Sequence, residues 1–232
     1  MSYRVLLLAA LAGATCGGCN GAPGRPAPDS AVIAPDKVAD FDVLYATNCA
    51  GCHGPNGTGG PAIGLSDPVY LAIADDTTIR HVTTDGVPGT AMPAFAQSAG
   101  GLLTAAQIDV IVNGIRARWA KPDALGDAHV PPHAPPAPGD PARGAGVYAR
   151  YCSSCHGADG RGAQHASSIV DPAYLALVSD QGLRTTVIVG RPELGAPDWR
   201  GDVPGNPLSS EDVADVVAWL AAKRPHLVGG LR

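Results

Sequence analysis

Two segments of the chain carry apolar residues at the spacing of one helix face, and residues that cap helices precede both. Each segment begins with a possible capping box, in which the N-cap residue and its partner are three residues apart: Thr104 with Gln107, and Ser209 with Asp212. The apolar positions that follow are Ile108, Ile111, Val112, Ile115 and Trp119 in the first segment, and Val213, Val216, Val217 and Leu220 in the second. We therefore predict a helix in both places, with Leu103 packing on Ile108 as a hydrophobic staple in the first.

Two more helices are predicted further upstream. Asp140 followed by Pro141 has the pattern of an N-cap and a first helical residue. Asp36 takes the same part near the start of the chain, and Tyr45 and Tyr148 fall on these two helices. Because no segment shows a convincing strand pattern, we predict an all-α protein.

The chain contains an internal repeat. The run at 67–72, Asp-Pro-Val-Tyr-Leu-Ala, recurs 104 residues later at 171–176 as Asp-Pro-Ala-Tyr-Leu-Ala. Gly86 and Gly190 keep the same offset. The 232 residues are therefore predicted to form two related domains, each of several short helices.

Changes in composition set the expected boundaries. Residues 122–141 contain seven prolines, which predict an extended, semi-rigid spacer of about 3 Å per residue between the two domains. The predicted order is a signal peptide at 1–19, a Pro/Gly-rich tether at 20–36, a first domain at 37–120, a linker at 121–140, a second domain at 141–226 and a tail at 227–232.

The N-terminus has the pattern of an export signal. Arg4 precedes ten apolar or small residues at 5–14, a stretch too short to cross a bilayer. Cys19, after Gly18, fits a lipidation site better than Cys16 does. Lipid on Cys19 would hold the protein to the extracytoplasmic face of a membrane. Cleavage after Ala14 is the alternative, and it would release a soluble periplasmic protein with two free thiols.

The strongest motif in the sequence is a doubled Cys-x-x-Cys-His. Its residues are Cys49, Cys52 and His53 in the first half, and Cys152, Cys155 and His156 in the second, 103 residues later. This spacing is typical of haem c attachment, with two thioether bonds to one porphyrin and the adjacent imidazole on the iron. A dithiol redox motif or half of a zinc site would also explain a Cys-x-x-Cys, but neither requires the histidine or a second copy. We therefore expect two covalently bound haems.

Composition agrees with this expectation. The chain is 45% hydrophobic but only 5% aromatic, which is little for two small cores, and haem would supply the missing apolar bulk. The formal net charge of −5 and the lack of a basic stripe argue against a nucleic-acid partner.

Over about 37–120 and 141–225, each half resembles a class I cytochrome c domain: a Cys-x-x-Cys-His helix, a Met-Pro loop, and a C-terminal helix that crosses the first. The resemblance implies an all-α fold and electron transfer. In the first half it makes Met92, which precedes Pro93, the iron ligand opposite His53. It also makes Pro61 the residue whose carbonyl accepts a hydrogen bond from His53.

The second half departs from this pattern. Met92 aligns with Ala196, which has no donor atom, and Pro61 aligns with His165 or Gln164. The second iron is then five-coordinate, holds water or hydroxide, or recruits another histidine. By the resemblance His165 lies on the wrong side of the haem, and the three other candidates are expected in solvent. These are His129 and His133 in the linker and His226 after the last helix.

We therefore expect an electron carrier or a subunit of a respiratory complex, outside the cytoplasm, rather than an enzyme. Its partners would be other redox proteins or a membrane respiratory complex. In the alternative, the open second haem binds a small ligand or acts as a peroxidase. Four charged residues near the altered loop could then serve it: Arg191, Glu193, Asp198 and Arg200. In a third hypothesis the second half is a docking module with a mainly structural haem.

Overall fold

The computed structural model describes residues 33–201, 203 and 205–225. In that part of the chain the regular structure is helical, and pairing between extended segments is limited to isolated bridges. The α-helices are α1 (Phe41–Asn48), α2 (Ala50–His53), α3 (Pro68–Ile73), α4 (Asp76–Asp85), α5 (Ala105–Trp119), α6 (Pro141–Tyr151), α7 (Ser153–His156), α8 (Pro172–Leu177), α9 (Asp180–Val189) and α10 (Ser210–Ala221). The prediction of an all-α protein is confirmed.

The chain divides into a short unit that ends at Lys37 and a larger unit from Val38 onward. In the short unit, Pro35–Lys37 form a 3₁₀ turn, closed by a 2.8 Å hydrogen bond from the Lys37 amide to the Ala34 carbonyl. Asp36 belongs to this turn, so the prediction that it caps the first helix was wrong. The N-cap of α1 is Asp40, whose carboxylate accepts a 2.9 Å hydrogen bond from the Val43 amide.

In the larger unit, each half is built on two helices that pack against each other, α1 with α5 and α6 with α10. Both predicted capping boxes form, at Thr104 and at Ser209. The predicted apolar faces of α5 and α10 are buried except for Trp119, which is partly buried. Burial of these faces, rather than helix propensity, supplies most of the stability of such short helices.

The middle helices follow the sequence repeat. Asp67 caps α3 and Asp171 caps α8. Each carboxylate accepts hydrogen bonds from two backbone amides of the first turn, and each helix begins with a proline. Both α4 and α9 end at a glycine with positive φ, Gly86 and Gly190. A Cβ at either glycine would collide with the backbone of the loop that follows, so both loops return close to the helix end.

The proline-rich segment is not a spacer that separates the halves. Its carbonyls at Pro132 and His133 accept hydrogen bonds from Arg184 of α9, whose side chain is 2% exposed. The halves also contact each other directly, since the Ala91 amide donates to the Leu177 carbonyl at 3.3 Å. The expected spacer is corrected to a strap bound to the second half, because a buried guanidinium needs acceptors that the strap's carbonyls provide.

Of the helices in the described residues, none is both long and apolar enough to span a membrane. The predicted signal segment with Cys16 and Cys19, most of the tether, His226 at the end of the second predicted domain, and the tail lie outside the described residues.

Candidate haem sites

The two Cys-x-x-Cys-His motifs adopt the same local structure. In the first, the amides of Cys52 and His53 donate to the Cys49 carbonyl at 3.2 and 2.9 Å, which winds the motif into one helical turn. In the second, the corresponding distances to the Cys152 carbonyl are 3.2 and 3.0 Å. One turn brings the two thiols of a motif to the same side of the helix, as attachment to one porphyrin requires.

The state of the thiols argues against a dithiol redox role for the two motifs. The four motif cysteines form no disulfide. Burial, with a smaller effect of the neighbouring thiol, raises the pKa of Cys49 and of Cys152 to about 11. Redox-active cysteines need the thiolate at neutral pH and so have lowered pKa values. Cys49 and Cys152 have the raised pKa of buried thiols instead.

The histidine of each motif is oriented by a backbone carbonyl. His53 Nδ1 lies 2.8 Å from the Ile63 carbonyl oxygen, and His156 Nδ1 lies 2.9 Å from that of Ser167. A carbonyl can only accept, so Nδ1 carries the proton in both rings and Nε2 keeps its lone pair. Both rings are therefore in the tautomer that an iron ligand requires.

The acceptor for His53 is a correction to the sequence prediction. Ile63 takes the place expected for Pro61, whose own carbonyl accepts from Arg191. The loop passes Pro61 before it turns toward the ring, because the Ala62 amide is bound to the Cys52 carbonyl at 2.9 Å. In the second half Ser167 likewise stands two residues beyond His165, whose side chain is exposed. The alignment of the two loops is correct, and the acceptor lies two residues further on in each.

A tyrosine holds the turn that follows each motif. Tyr45 Oη donates to the Gly54 carbonyl at 2.9 Å, and Tyr148 Oη donates to the Gly157 carbonyl at 2.5 Å. Gly54 has a φ of +81°, where a side chain would collide with the carbonyl of Thr58. The loops that orient the histidines therefore start from the same position in both halves.

The loop that carries Met92 has a close counterpart in the second half. The Val87 amide donates to the Met92 carbonyl at 2.9 Å, and 104 residues later the Arg191 amide donates to the Ala196 carbonyl at 3.0 Å. The same backbone hydrogen bond thus encloses Met92 in one half and Ala196 in the other. Ala196 occupies the position of Met92 in three dimensions as well as in the alignment.

The Met92 loop is connected to its motif through packed helices. It follows α4, which packs on α5, and α5 packs on α1, the helix that leads into Cys49. The loop rejoins α4 through a 3.1 Å hydrogen bond from the Phe95 amide to the Thr83 carbonyl. Met92 itself is partly buried.

The charged residues beside Ala196 are bound to one another. Arg191 Nε lies 2.6 Å from a Glu193 carboxylate oxygen, and Arg200 lies 2.5 Å from Asp198. Arg191 also reaches two carbonyls of the first half, Gly60 and Pro61. The four side chains proposed above as distal groups are therefore engaged in ion pairs.

The remaining histidines do not form a metal site in the described residues. His129 is exposed, whereas His133 is half-buried in the strap, so the expectation of a solvated His133 was wrong. Burial, followed by the charge of Arg184, lowers the pKa of His133. Within the described part of the chain no cluster of three histidine, cysteine or acidic side chains could hold a metal ion.

Comparison with known families decides the class of these sites. The model of the family "Cytochrome C oxidase, cbb3-type, subunit III" matches residues 36–113 and again residues 139–220. The chain belongs to this family of c-type cytochromes. As a c-type cytochrome it binds haem c covalently and transfers electrons, and the two Cys-x-x-Cys-His turns with their free Nε2 atoms fit that cofactor.

Curated relatives of this cytochrome include subunits of two respiratory assemblies. The cytochrome bc1 complex cytochrome c subunit of Mycobacterium tuberculosis is 28% identical over 99% of this chain and 81% of its own length. The cbb3-type cytochrome c oxidase subunit CcoP of Cereibacter sphaeroides is 29% identical over 81% of this chain and 59% of its own. A chain of the Kuenenia stuttgartiensis reducing HAO-like protein complex superimposes with a TM-score of 0.43, at 15% identity, over 84% of this chain and all of that one.

Two residues of the cytochrome's sites were missed from the sequence, Ile63 and Ser167. Both act through a backbone carbonyl, which every residue possesses, so their side chains carry no signal. The 104-residue offset between them is the same as in the repeat and marks them as equivalent positions once one is known.

Proposed function

We propose that this cytochrome is an extracytoplasmic dihaem electron carrier, with unlike axial ligands at its two irons, that serves a membrane respiratory complex. The observation that carries the proposal is the pair of histidines whose Nδ1 atoms are bound to the carbonyls of Ile63 and Ser167. This hydrogen bond leaves Nε2 of each histidine free to bind iron, as expected if each half holds a haem.

Each half contributes a defined set of residues. Cys49 and Cys52 attach the first haem and His53 and Met92 ligate its iron, while Cys152, Cys155 and His156 do the corresponding work in the second half. Haem iron supplies one-electron exchange between its ferrous and ferric states. The chain binds and orients the two groups and excludes water from the core around α5 and α10. Methionine opposite histidine raises a haem's reduction potential, so we expect the first haem to have the higher potential.

The relatives guide the choice of partner. Their names place them in the bc1 complex and in cbb3 oxidase, both of which move electrons along a membrane. We propose that this chain exchanges electrons with such a complex and is kept near it by a lipid on Cys19. Export would follow from the apolar stretch at 5–14.

A second candidate function is supported by Ala196, which takes the position of Met92 without a donor atom. An iron with an open sixth position binds small ligands such as CO or imidazole. Peroxidase activity is the weaker form of this candidate, because it needs polar distal groups and the charged residues beside Ala196 are already paired.

The haem count and the ligands can be tested separately. Intact-mass measurement of the denatured protein should show two added haems per chain, and a single haem would contradict the proposal. Met92→Ala should remove the low-spin Met-ligated spectrum, and Ala196→Met should create a second one with a raised potential. Ala163→Met, at an exposed position of the second half, is the control and should change neither spectrum.

A further inference from the structure

We propose that Arg191 couples the two haem sites, as a positioning residue that ties the loop opposite His156 to the loop that orients His53. This inference rests on the proposed function in requiring a haem in each half and, for its second part, an open position at the second iron. It assigns to Arg191 two effects: on the reduction potential of the first haem, and on the response of that potential to ligands at the second.

The contact between the halves is specific. Arg191 donates to the Gly60 carbonyl at 2.6 Å and to the Pro61 carbonyl at 3.3 Å. Its side chain is 18% exposed, and the 2.6 Å ion pair with Glu193 restricts the orientation of the guanidinium. A planar guanidinium that donates to two adjacent carbonyls fixes both the distance and the angle between the segments it joins.

One end of this contact lies on the support of His53. Gly60 and Pro61 precede Ile63, whose carbonyl binds His53 Nδ1. Gly60 lies against the motif itself, since a Cβ there would collide with the Cys52 carbonyl. If the Gly60 and Pro61 carbonyls move, the Ile63 carbonyl two residues further on moves with them, and so does the His53 imidazole that it holds.

The other end lies on the loop that would face the second iron. The amide and carbonyl of Arg191 are both hydrogen-bonded to Ala196 at 3.0 Å, so the side chain and the altered position belong to one small closed loop. A ligand that enters at Ala196 must move this loop or be accommodated by it. A movement of this loop also displaces the Arg191 side chain and its hydrogen bonds to Gly60 and Pro61, and this couples ligand binding at the second half to the first.

The contact made by Arg191 has no counterpart from the equivalent position of the first half. That position, 87 in the backbone pattern, is a valine, which has no charge to place against the second half. Charged groups of the second half also act on a carboxyl of the first. Burial is the main cause of the raised pKa of Asp67, and the carboxylates of Asp198 and Glu193 raise that pKa further.

Removal of the Arg191 charge should lower the reduction potential of the first haem. A cation near the iron favours the ferrous state, which carries one positive charge fewer. The matched control is Arg200, which lies four residues beyond this closed loop, pairs with Asp198 and lies over the Trp199 ring at 4.8 Å. Arg200→Gln removes the same charge without cutting a hydrogen bond to Gly60 or Pro61.

The first experiment is a redox titration of the full haem-loaded protein, which follows the Met-ligated haem. We expect R191Q to lower its potential clearly more than R200Q does, with R191K between R191Q and the unaltered protein. A shift in R191Q no larger than that in R200Q overturns the proposal. If R191Q yields no folded protein, R191K is compared with R200K on the same criterion.

The second experiment repeats the titration with saturating imidazole. Imidazole bound at the second haem should shift the potential of the first in the unaltered protein, and this shift should be lost in R191Q. An equal shift in both proteins overturns the coupling. Failure of imidazole to bind the second haem contradicts the open site of the proposed function instead, and the first titration still decides the role of Arg191.

Discussion

At the scale of residues, the two motif histidines are held alike although their surroundings differ. His53 is 9% exposed and burial lowers its pKa, whereas His156 is only partly buried. In both, a backbone carbonyl holds the Nδ1 proton. The hydrogen bond, not the burial, is what the two sites share, so both are prepared for metal while the second is more open to solvent.

The exchange of Met92 for Ala196 is also local. The backbone hydrogen bond around each position survives, so the loop's path does not depend on the methionine side chain. The loop can therefore keep its path with either side chain, so Ala196→Met should be accommodated without a change of fold.

Asp215 gives a prediction for pH-dependent stability. Its carboxylate, 4% exposed, accepts from Arg143 at 2.7 and 2.9 Å and from the Asp140 amide at 2.6 Å, and the Arg143 hydrogen bonds lower its pKa. A carboxyl with a lowered folded pKa stabilises the protein above the unfolded value, about 4, and loses that effect as pH falls through the folded value. Asp215→Asn should cost about 1–2 kcal/mol at pH 7.

The measurement is urea unfolding of both proteins at pH 7 and at pH 3. The difference in unfolding free energy between the two proteins should be smaller at pH 3, because that pH lies below the unfolded pKa of about 4 and the unfolded chain then takes up a proton at Asp215. Asp159→Asn, at an exposed carboxylate of the same half, is the control and should cost less at pH 7. A gap that widens at low pH would contradict the assignment.

At the scale of elements, both helix crossings pack an aromatic side chain against a glycine, but the glycine lies on the later helix in the first half and on the earlier helix in the second. In the first half Phe41 of α1 fills the space above Gly114 of α5, where a Cβ would collide with the ring. In the second half the positions are reversed: Gly144 of α6 lies against Asp215 and Trp219 of α10. Trp219 then stacks on Tyr148 with centroids 4.1 Å apart. One aromatic and one glycine per crossing keep the helices close.

This crossing predicts opposite effects for two glycines on α6. Gly144→Ala should destabilise the protein by about 1–3 kcal/mol, because the new methyl group meets the Asp215 carbonyl. Gly146→Ala, two residues away and open to solvent, should stabilise it by about 0.5–1 kcal/mol through helix propensity. Thermal and urea unfolding measure both. Equal effects would mean that α6 and α10 do not approach closely at Gly144.

At the scale of the whole molecule, the larger unit contains both Cys-x-x-Cys-His motifs and the strap, which is bound to the second half. Arg184, one of the largest buried side chains, donates to the strap at Pro132 and His133 and to Ser210 at the start of α10. Burial lowers its pKa, as expected for a cation removed from water. Its place in the repeat is held in the first half by Arg80, which pairs with Asp109 at the surface.

Loss of this buried arginine should release the strap. Arg184→Leu leaves the Pro132 carbonyl without a donor and the His133 carbonyl with Gln181 alone. The segment around Leu125 and Val130 should therefore be cleaved by thermolysin about tenfold faster. Arg80→Leu removes the equivalent arginine of the first half and should leave that rate unchanged. Similar rates in R184L and the unaltered protein would show that the strap is held by other contacts.

Much of this architecture could be predicted from the chain. The helix class, both capping boxes, the apolar faces of α5 and α10 and the alignment of Met92 with Ala196 all depend on residues close in sequence or on the repeat. The cap at Asp40 was missed because Asp36 offers the same side chain four residues earlier. Only the local turn at Pro35–Lys37 distinguishes the two.

The features that escaped prediction are contacts between distant backbone and side-chain atoms. The Ile63 and Ser167 carbonyls, the docking of the strap on Arg184 and the reach of Arg191 to Gly60 leave no pattern along the chain, because a carbonyl is the same in every residue. Periodicity and motif spacing report which residues are apolar, which cap helices and which can bind haem. How the loops and halves meet depends on packing across up to 131 residues, and that information exists only once the chain is folded.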